Sequence, residues 1–545
     1  MNWEGTYFLI GPPGTGKTRW LADRVPKMLE LSCGFGGAMP RDRMPVMICS
    51  LTRTAAAEIA SRTPDLLDEA CRTIHSHCLR SQPAGAPDVL TRKHLLEWNT
   101  AHPGLALSEG GVDEDDVVSA VLGEKPGDEY ATEYHLLRHQ MVPREAWPGT
   151  IIRFVDTFEA FKRDMDVQDF TDMIVNAGDR PPKPVDYIIV DEAQDTSRLA
   201  FSVLQRWAKH SKAFFVVGDP WQSLYTWAGA DPNLILDPTI EATHRGILSQ
   251  SWRVPRRVHE VAMKWVRRHM PGDTSIDYKP RDADGFVDDC HSTWGTPDNA
   301  IDLAVEYLAA GKSVMFCFSC NYMVNPLVRE LKSKGIPFAN PWRTKNGSWN
   351  PLARRRGITI QDSIRALLKL SSDSTVHSWT FGDLKAVIKQ LRASEHLEYG
   401  AKARVDRAKD DDIVGPNDLT STISDWQGLL LDDSRDAMLR WYANAMDQPT
   451  RDKATYTINC VKKHGLRAIT EEPKLYVGTI HSFKGSEADV VFVFPDLSPE
   501  AGTRWLLRED GYDETVRQFY VAFTRAREGL VLCKHQGKNS VEFTR

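Results

Sequence analysis

Gly11-Pro12-Pro13-Gly14-Thr15-Gly16-Lys17-Thr18 fits the pattern G-x-x-x-x-G-K-[ST]. Glycines let a backbone curl until its N–H groups point at phosphate oxygens, and a helix starting there adds its dipole. In this pattern Lys17 reaches the β- and γ-phosphates and the Thr18 hydroxyl sits on Mg²⁺. A second constellation, Tyr187-Ile188-Ile189-Val190-Asp191-Glu192, is an apolar run ending in two carboxylates. Phosphoryl transfer depends on neutralised charge and a placed water. Asp191 is therefore expected to hold Mg²⁺, and Glu192 to polarise the attacking water. Together these residues imply a nucleoside-triphosphate hydrolase. A phosphate loop alone suits a small kinase, a GTPase, a transporter ATPase or a helicase equally.

Such a loop needs a strand before it and a helix after it. Thr6–Ile10 reads as the strand, and a helix follows from Lys17. Val46–Ser50 reads as a second strand and Ala55–Arg62 as a helical run; Tyr187–Val190 and Phe214–Val217 continue the alternation. Strands alternating with helices predict a mostly parallel, doubly wound sheet. The gap between Lys17 and Asp191 exceeds any simple crossover. Within it, residues 81–180 carry the acidic run Asp113–Asp116 and the helical Ile151–Phe161 and read as an inserted helical unit. A second α/β region begins near Ser251, with strand Ser313–Ser319 and helix Met323–Lys334. The charged, helical stretch 346–473, with Arg354–Arg356 and Asp410–Asp412, reads as another insertion. Strand Val490–Phe494, helix Thr515–Arg525 and strand Leu530–Cys533 close the chain.

Composition bounds the rest. The chain has 545 residues, 68 Lys plus Arg against 74 Asp plus Glu, a net charge of −6 and 41% hydrophobic residues. At ~150 residues per domain this is roughly three to four globular domains. Disorder, a disulfide scaffold and coating of nucleic acid by bulk positive charge are excluded. No run reaches the ~18 apolar residues of a membrane span, and the N-terminus lacks the basic segment of a signal peptide. A cytoplasmic protein with no membrane contact is expected. The nine cysteines include one C-x-x-C, Cys317 to Cys320, inside an apolar run. No second Cys/His pair lies near it, so buried thiols are expected rather than a zinc site.

The motifs in order resemble those of superfamily 1 DNA helicases, in particular the UvrD/Rep/PcrA-like group. The run Ser50-Leu51-Thr52-Arg53-Thr54-Ala55 is similar to motif Ia, and Thr73-Ile74-His75-Ser76-His77 to the family's TFHSF segment. Phe158–Lys162 with Asp169-Phe170-Thr171-Asp172 resembles DFDDLL, and Asp191-Glu192-Ala193-Gln194-Asp195 is the DEAQD form. Val217–Trp227 resembles motif III, Ser251-Trp252-Arg253 motif IV, Thr479–Asp489 motif V and Gln518–Arg527 motif VI.

The resemblance implies two RecA-like P-loop NTPase domains with parallel sheets, each carrying a mainly helical insertion. Motor domain 1 would comprise 1–80 and 181–250, with insertion 81–180. Motor domain 2 would comprise 251–345 and 474–545, with a reduced insertion 346–473. It implies ATP and Mg²⁺ as cofactors, with Gly11, Pro12, Pro13, Gly14, Thr15, Gly16, Lys17, Thr18, Arg19, Trp252 and Glu487 around the nucleotide. Trp252 would stack on adenine and Glu487 contact the ribose. Gln222 would link the γ-phosphate to the DNA side, and Arg253 and Arg525 act as arginine fingers. Thr52, Arg53, His75, Tyr225, Trp227 and His481 are implied contacts to single-stranded DNA. Tyr225 and Trp227, two residues apart, share a face if their segment is extended and would form a stacking platform.

The implied activity is ATP-driven 3′ to 5′ movement on single-stranded DNA with strand separation, by a monomer acting on single strands and DNA junctions in repair or replication. Two other readings are a translocase that strips proteins from DNA while unwinding little, and a regulatory DNA-binding subunit with a weak motor. Three departures stand out, the first two bearing on contacts to DNA and the third on the base of the nucleotide. Leu51 stands where the family usually has an aromatic, Ala228 where it has arginine, and no glutamine precedes Gly11. Selectivity for adenine is accordingly expected to be relaxed.

Overall fold

A computed structural model describes residues 3–543 apart from 35–41, 51–52, 65, 67–68, 109–124, 273–275, 345, 355, 373, 375–377, 425 and 427–431. Thr52 and the acidic run Asp113–Asp116 lie outside the described residues, and so does the side chain of Arg53.

Two parallel sheets organise the chain. The first uses β1 (Gly5–Ile10), β2 (Met44–Ser50) and β3 (Cys71–Thr73). Beyond an insertion with the short pair β4 (Asp88–Val89) and β5 (Val167–Gln168), it adds β6 (Val185–Val190), β7 (Ala213–Gly218) and β8 (His244–Ile247). These six strands lie in the order β3-β2-β6-β7-β1-β8. Next come β9 (Gln250–Pro255) and β10 (Lys279–Arg281), paired with each other. The second sheet holds β11 (Phe286–Cys290), β12 (Val314–Phe318), β13 (Leu475–Thr479), β14 (Ala488–Val493) and β15 (Ala526–Cys533), in the order β11-β15-β14-β12-β13. The fold is thus two RecA-like α/β units with parallel sheets, as the motif order implied.

Their central strands are buried along their whole length, as in β2, β7 and β12. That is the pattern of a sheet covered on both faces. Successive side chains of a strand point to opposite faces. Phe8, Ile188 and Phe214 therefore pack on Phe201, Leu204 and Trp207, while Tyr7, Tyr187 and Phe215 face the layer of Leu21, Val25 and Met28.

The first insertion is mainly helical, and its core is Trp98, Tyr134, Phe154 and Phe158. Lys162 Nζ lies 2.5 Å from both Asp169 and Asp172, and Arg138 reaches Asp172 at 2.6 Å. Burial pushes the Asp169 carboxyl up, but Lys162 and His135 outweigh it and hold it well below its usual range. Helices between Ile360 and Thr470 build the second insertion around Leu384, Val387, Leu439 and Tyr442. Cys317 is fully buried in β12, and Cys320 is half-buried just beyond it. No helix among the described residues is long and apolar enough to cross a membrane.

Candidate nucleotide and strand site

In parallel sheets, ligands sit beyond the carboxyl ends of the strands. There β1 delivers the phosphate loop, β6 ends just before Asp191 and β7 ends at Gly218, the last two strands being neighbours. The loop needs its glycines. Gly14 has φ +72°, and a Cβ on it would lie 2.4 Å from the Cβ of Arg253. The Lys17 ammonium is buried and folds back to the Gly11 carbonyl at 2.7 Å, while the Thr15 hydroxyl donates to the Pro12 carbonyl at 2.8 Å.

Glu192 adopts the left-handed conformation, φ 53° and ψ 41°. Non-glycine residues take that shape at a cost of about 1–3 kcal/mol, and it recurs at functional sites. The Gln194 amide donates to the Glu192 carboxylate. Burial raises the Glu192 pKa, but the Lys17 and Lys484 ammonium groups outweigh burial and lower it. It is therefore an anion at neutral pH, able to accept a proton. Asp219, fully buried, is pushed up to about 6 by burial and accepts a bond from Gln222 Nε2 at 2.7 Å.

The far wall belongs to β9 and the second sheet. The Ser251 and Tyr278 hydroxyls both donate to the Pro13 carbonyl at 2.9 Å, and Trp252 N–H donates to the Gly14 carbonyl at 2.8 Å. These bonds press β9 against the phosphate loop. Arg525 follows the helix Tyr512–Phe523, is 1% exposed, and donates from Nη2 to Gln222 Oε1 at 2.8 Å. Burial, with Arg253 nearby, lowers it to about 10, so it stays cationic. Arg253 Nε donates to Glu487 at 2.6 Å. The expected phosphate and ribose ligands are thus paired with each other here.

Lys484 is the group that motif reading passed over. Its ammonium pairs with Asp195, donates to the Gln222 carbonyl at 2.9 Å and lies 5.2 Å from the Tyr225 ring centroid. Burial disfavours its charge, but Asp195 and Glu192 outweigh that and raise its pKa. Nothing in the run containing Lys484 signals a partner so distant in the chain.

One cleft of about 560 Å³ collects most of the expected residues. Gly14, Lys17, Thr18, Arg19, Asp191, Glu192, Gln222, Tyr225, Trp252, Arg253, His481, Glu487 and Arg525 line it. Trp342 and Arg343 also line it and carry no sequence motif. Trp252 is 73% exposed, which leaves its ring free to stack. Arg19 is exposed and pairs loosely with Asp23 at 3.8 Å. His481 is pushed down to about 4 by burial and so is neutral at pH 7.

Two expectations change. Residues Thr226–Ala228 form a 3₁₀ turn rather than extended chain. Tyr225 and Trp227 therefore meet at 65° with centroids 6.2 Å apart, instead of sharing a flat face. Only Tyr225 of the pair lines the cleft. The turn forms because Gly229, at φ +92°, closes it and Ala228 N–H bonds the Tyr225 carbonyl at 2.9 Å. His75 is not among the cleft residues; it packs edge-on to Phe170 of the insertion, at 5.7 Å and 74°.

A model of the AAA domain matches residues 3–228, and one of the UvrD-like helicase C-terminal domain matches residues 474–533. The chain is 26% identical over 261 residues to the putative ATP-dependent DNA helicase YjcD of Bacillus subtilis, covering 43% of this chain and 32% of that protein. It is 26% identical over 300 residues to the ATP-dependent DNA helicase PcrA of Staphylococcus epidermidis, covering 49% and 38%. PcrA of Staphylococcus aureus is 25% identical over 309 residues, covering 49% and 38%. The matches thus span about a third of these relatives' length. They bear out the family resemblance read from the motifs.

Proposed function

We propose that this chain, a UvrD/Rep/PcrA-like protein of superfamily 1, hydrolyses ATP between two motor domains to move 3′ to 5′ on single-stranded DNA and separate strands. One observation carries the reading: cations from beyond the first sheet converge on its phosphate loop and acidic strand end, with Arg525 already bonded to Gln222. We assign motor domain 1 to residues 1–80 and 181–250 and motor domain 2 to 251–345 and 474–545.

The Thr18 hydroxyl and the Asp191 carboxylate line one cleft and are the hard oxygen donors Mg²⁺ prefers. The residues therefore fit that ion, which would supply charge neutralisation at the phosphates. The chain does the rest. Lys17 and the loop N–H groups hold the β- and γ-phosphates. Glu192 takes the proton of the water that attacks the γ-phosphorus, while the bond to the β–γ bridging oxygen breaks and ADP leaves. Arg253 and Arg525 release Glu487 and Gln222 to meet the charge on the transferring group. Gln222 lies three residues before Tyr225, so this exchange reaches the aromatic turn where DNA bases would stack.

The test compares turnover of the wild type and Lys17→Ala, with single-stranded DNA, duplex DNA and RNA, and with tailed duplexes of defined polarity. Lys17→Ala should abolish hydrolysis, and single-stranded DNA should stimulate the wild type most. Wild-type turnover by Lys17→Ala would refute the phosphate-loop assignment. Stimulation without strand separation would instead favour a translocase that displaces bound proteins. Absence of any DNA-dependent turnover would leave a regulatory DNA-binding subunit.

A further inference from the structure

The helix Tyr512–Phe523 runs along the stretch Asp219–Gly229 and meets it at three points. Past its C-terminal end Arg525 donates to Gln222 at 2.8 Å. In its last turn Tyr520 packs edge-on to Trp221, at 5.6 Å and 85°. In its first turn Glu514 Oε2 accepts a 2.9 Å bond from the hydroxyl of Thr226, the residue between Tyr225 and Trp227. The aromatic turn is also braced within itself and against the first insertion, and its Tyr225 ring meets His481 and Lys484 of the second unit, at 6.3 Å and 5.2 Å. Trp227 Nε1 donates to the Leu224 carbonyl at 3.1 Å, and Ala230 N–H to the Tyr225 carbonyl at 3.1 Å. A Cβ on Gly229 would lie 2.4 Å from the Cβ of His139, so the insertion helix Asp128–His139 leaves the turn no room on that side. Beside those ring contacts, Thr226–Glu514 is a direct hydrogen bond between this turn and the helix Tyr512–Phe523 of the second motor domain.

We propose that Glu514 is a positioning residue that ties the set of the aromatic turn, and hence the grip on single-stranded DNA, to the position of the helix leading to Arg525. This rests on the motor reading above. When Arg525 leaves Gln222 for a phosphate, the helix shifts at its far end, and the Thr226–Glu514 bond passes the shift to the residue between the two rings. A hydrogen bond to a charged group is strong enough to set such a turn, and its loss leaves the carboxylate without that donor.

The experiment measures ATP turnover of the full chain against oligo(dT) concentration for wild type, Thr226→Val, Glu514→Ala, their combination and Glu514→Gln, with thermal melting in parallel. Thr226→Val and Glu514→Ala should each raise the half-saturating oligo(dT) about tenfold, with maximal turnover moving less than about twofold. The double variant should be no worse than the worse single, the signature of one shared interaction. Glu514→Gln, whose amide oxygen still accepts the bond, should stay within about twofold of wild type. Unshifted half-saturation, additive losses, failure of Glu514→Gln to rescue, or turnover falling in step with melting temperature would each overturn the role of Glu514. A wild type that hydrolyses ATP but ignores oligo(dT) would refute the motor reading itself, a different result from unshifted variants of a responsive wild type.

Discussion

The first sheet supplies its half of the cleft from short unbroken runs: the phosphate loop after β1, and Asp191 with Glu192 after β6. The far side supplies Arg253, Lys484, Glu487 and Arg525 from points spread between β9 and the start of β15. The two halves also differ in how their groups are held. Lys17 is bound within its own loop, to the Gly11 carbonyl. Arg525 and Lys484 are instead held across the cleft, by Gln222 and by Asp195. One half is a preformed cradle. The other is a set of cations held by protein partners, which a phosphate would have to displace in the function proposed above. Under the proposed motor function, a site split in this way would let the relative position of the two sheets gate the chemistry.

The largest test of this contrast is Arg525→Ala. Loss of a transition-state cation should lower turnover about 10³-fold or more, with ATP binding changed only a few-fold. Lys17→Ala, on the cradle side, should lose binding as well. Equal loss of binding in both variants, by titration with a non-hydrolysable ATP analogue, would erase the distinction.

Next is Lys484→Met, which strands Asp195, a carboxylate fully buried beneath it. Removing one partner of a buried pair costs about 3–5 kcal/mol. Melting temperature should drop, and Asp195→Asn in the same chain should restore much of it. The double variant should still respond poorly to single-stranded DNA if Lys484 bridges nucleotide and track.

The cradle side also contains His77, fully buried beside β2, where Nε2 donates to the Ile48 carbonyl at 3.3 Å and Nδ1 has no partner among the described residues. Burial lowers its pKa from 6.5 to about 4. Between those values the unfolded chain binds the proton and the folded chain does not. Stability is therefore full above pH 6.5 and is lost as pH falls toward 4, by about 3 kcal/mol at most. Denaturant titrations at pH 7 and pH 5 should show this slope together with the like contributions of His139, His269 and His481, which burial also lowers, and His77→Phe should reduce it by one histidine's share.

Smallest is Trp227→Ala, which removes one stacking surface. Single-strand affinity should fall by about 1–3 kcal/mol, read by anisotropy of labelled oligo(dT), with DNA-independent ATP hydrolysis the control. An unchanged affinity would mean that Tyr225 and the residues lining the cleft carry the track without it.

Much of this was legible in the chain itself. The phosphate loop, the carboxylate pair and the strand–helix alternation depend on consecutive residues. The sequence leaves open whether the Tyr225–Trp227 segment is extended; Gly229 and the helix ending at His139 make it a turn. Trp342 and Arg343 were missed because no motif surrounds them; they reach the cleft only through folding of the second sheet.

By itself, then, the sequence determined that this is a two-sheet P-loop protein with a nucleotide cradle and an ordered set of motor motifs. Those features are local, set by backbone conformations and side-chain chemistry within a few residues. Only the tertiary structure decided that Arg525 rests on Gln222, Lys484 on Asp195, Arg253 on Glu487 and Thr226 on Glu514. Most of these pairings join residues hundreds of positions apart, and their geometry is set by how the two parallel sheets and the first insertion pack together.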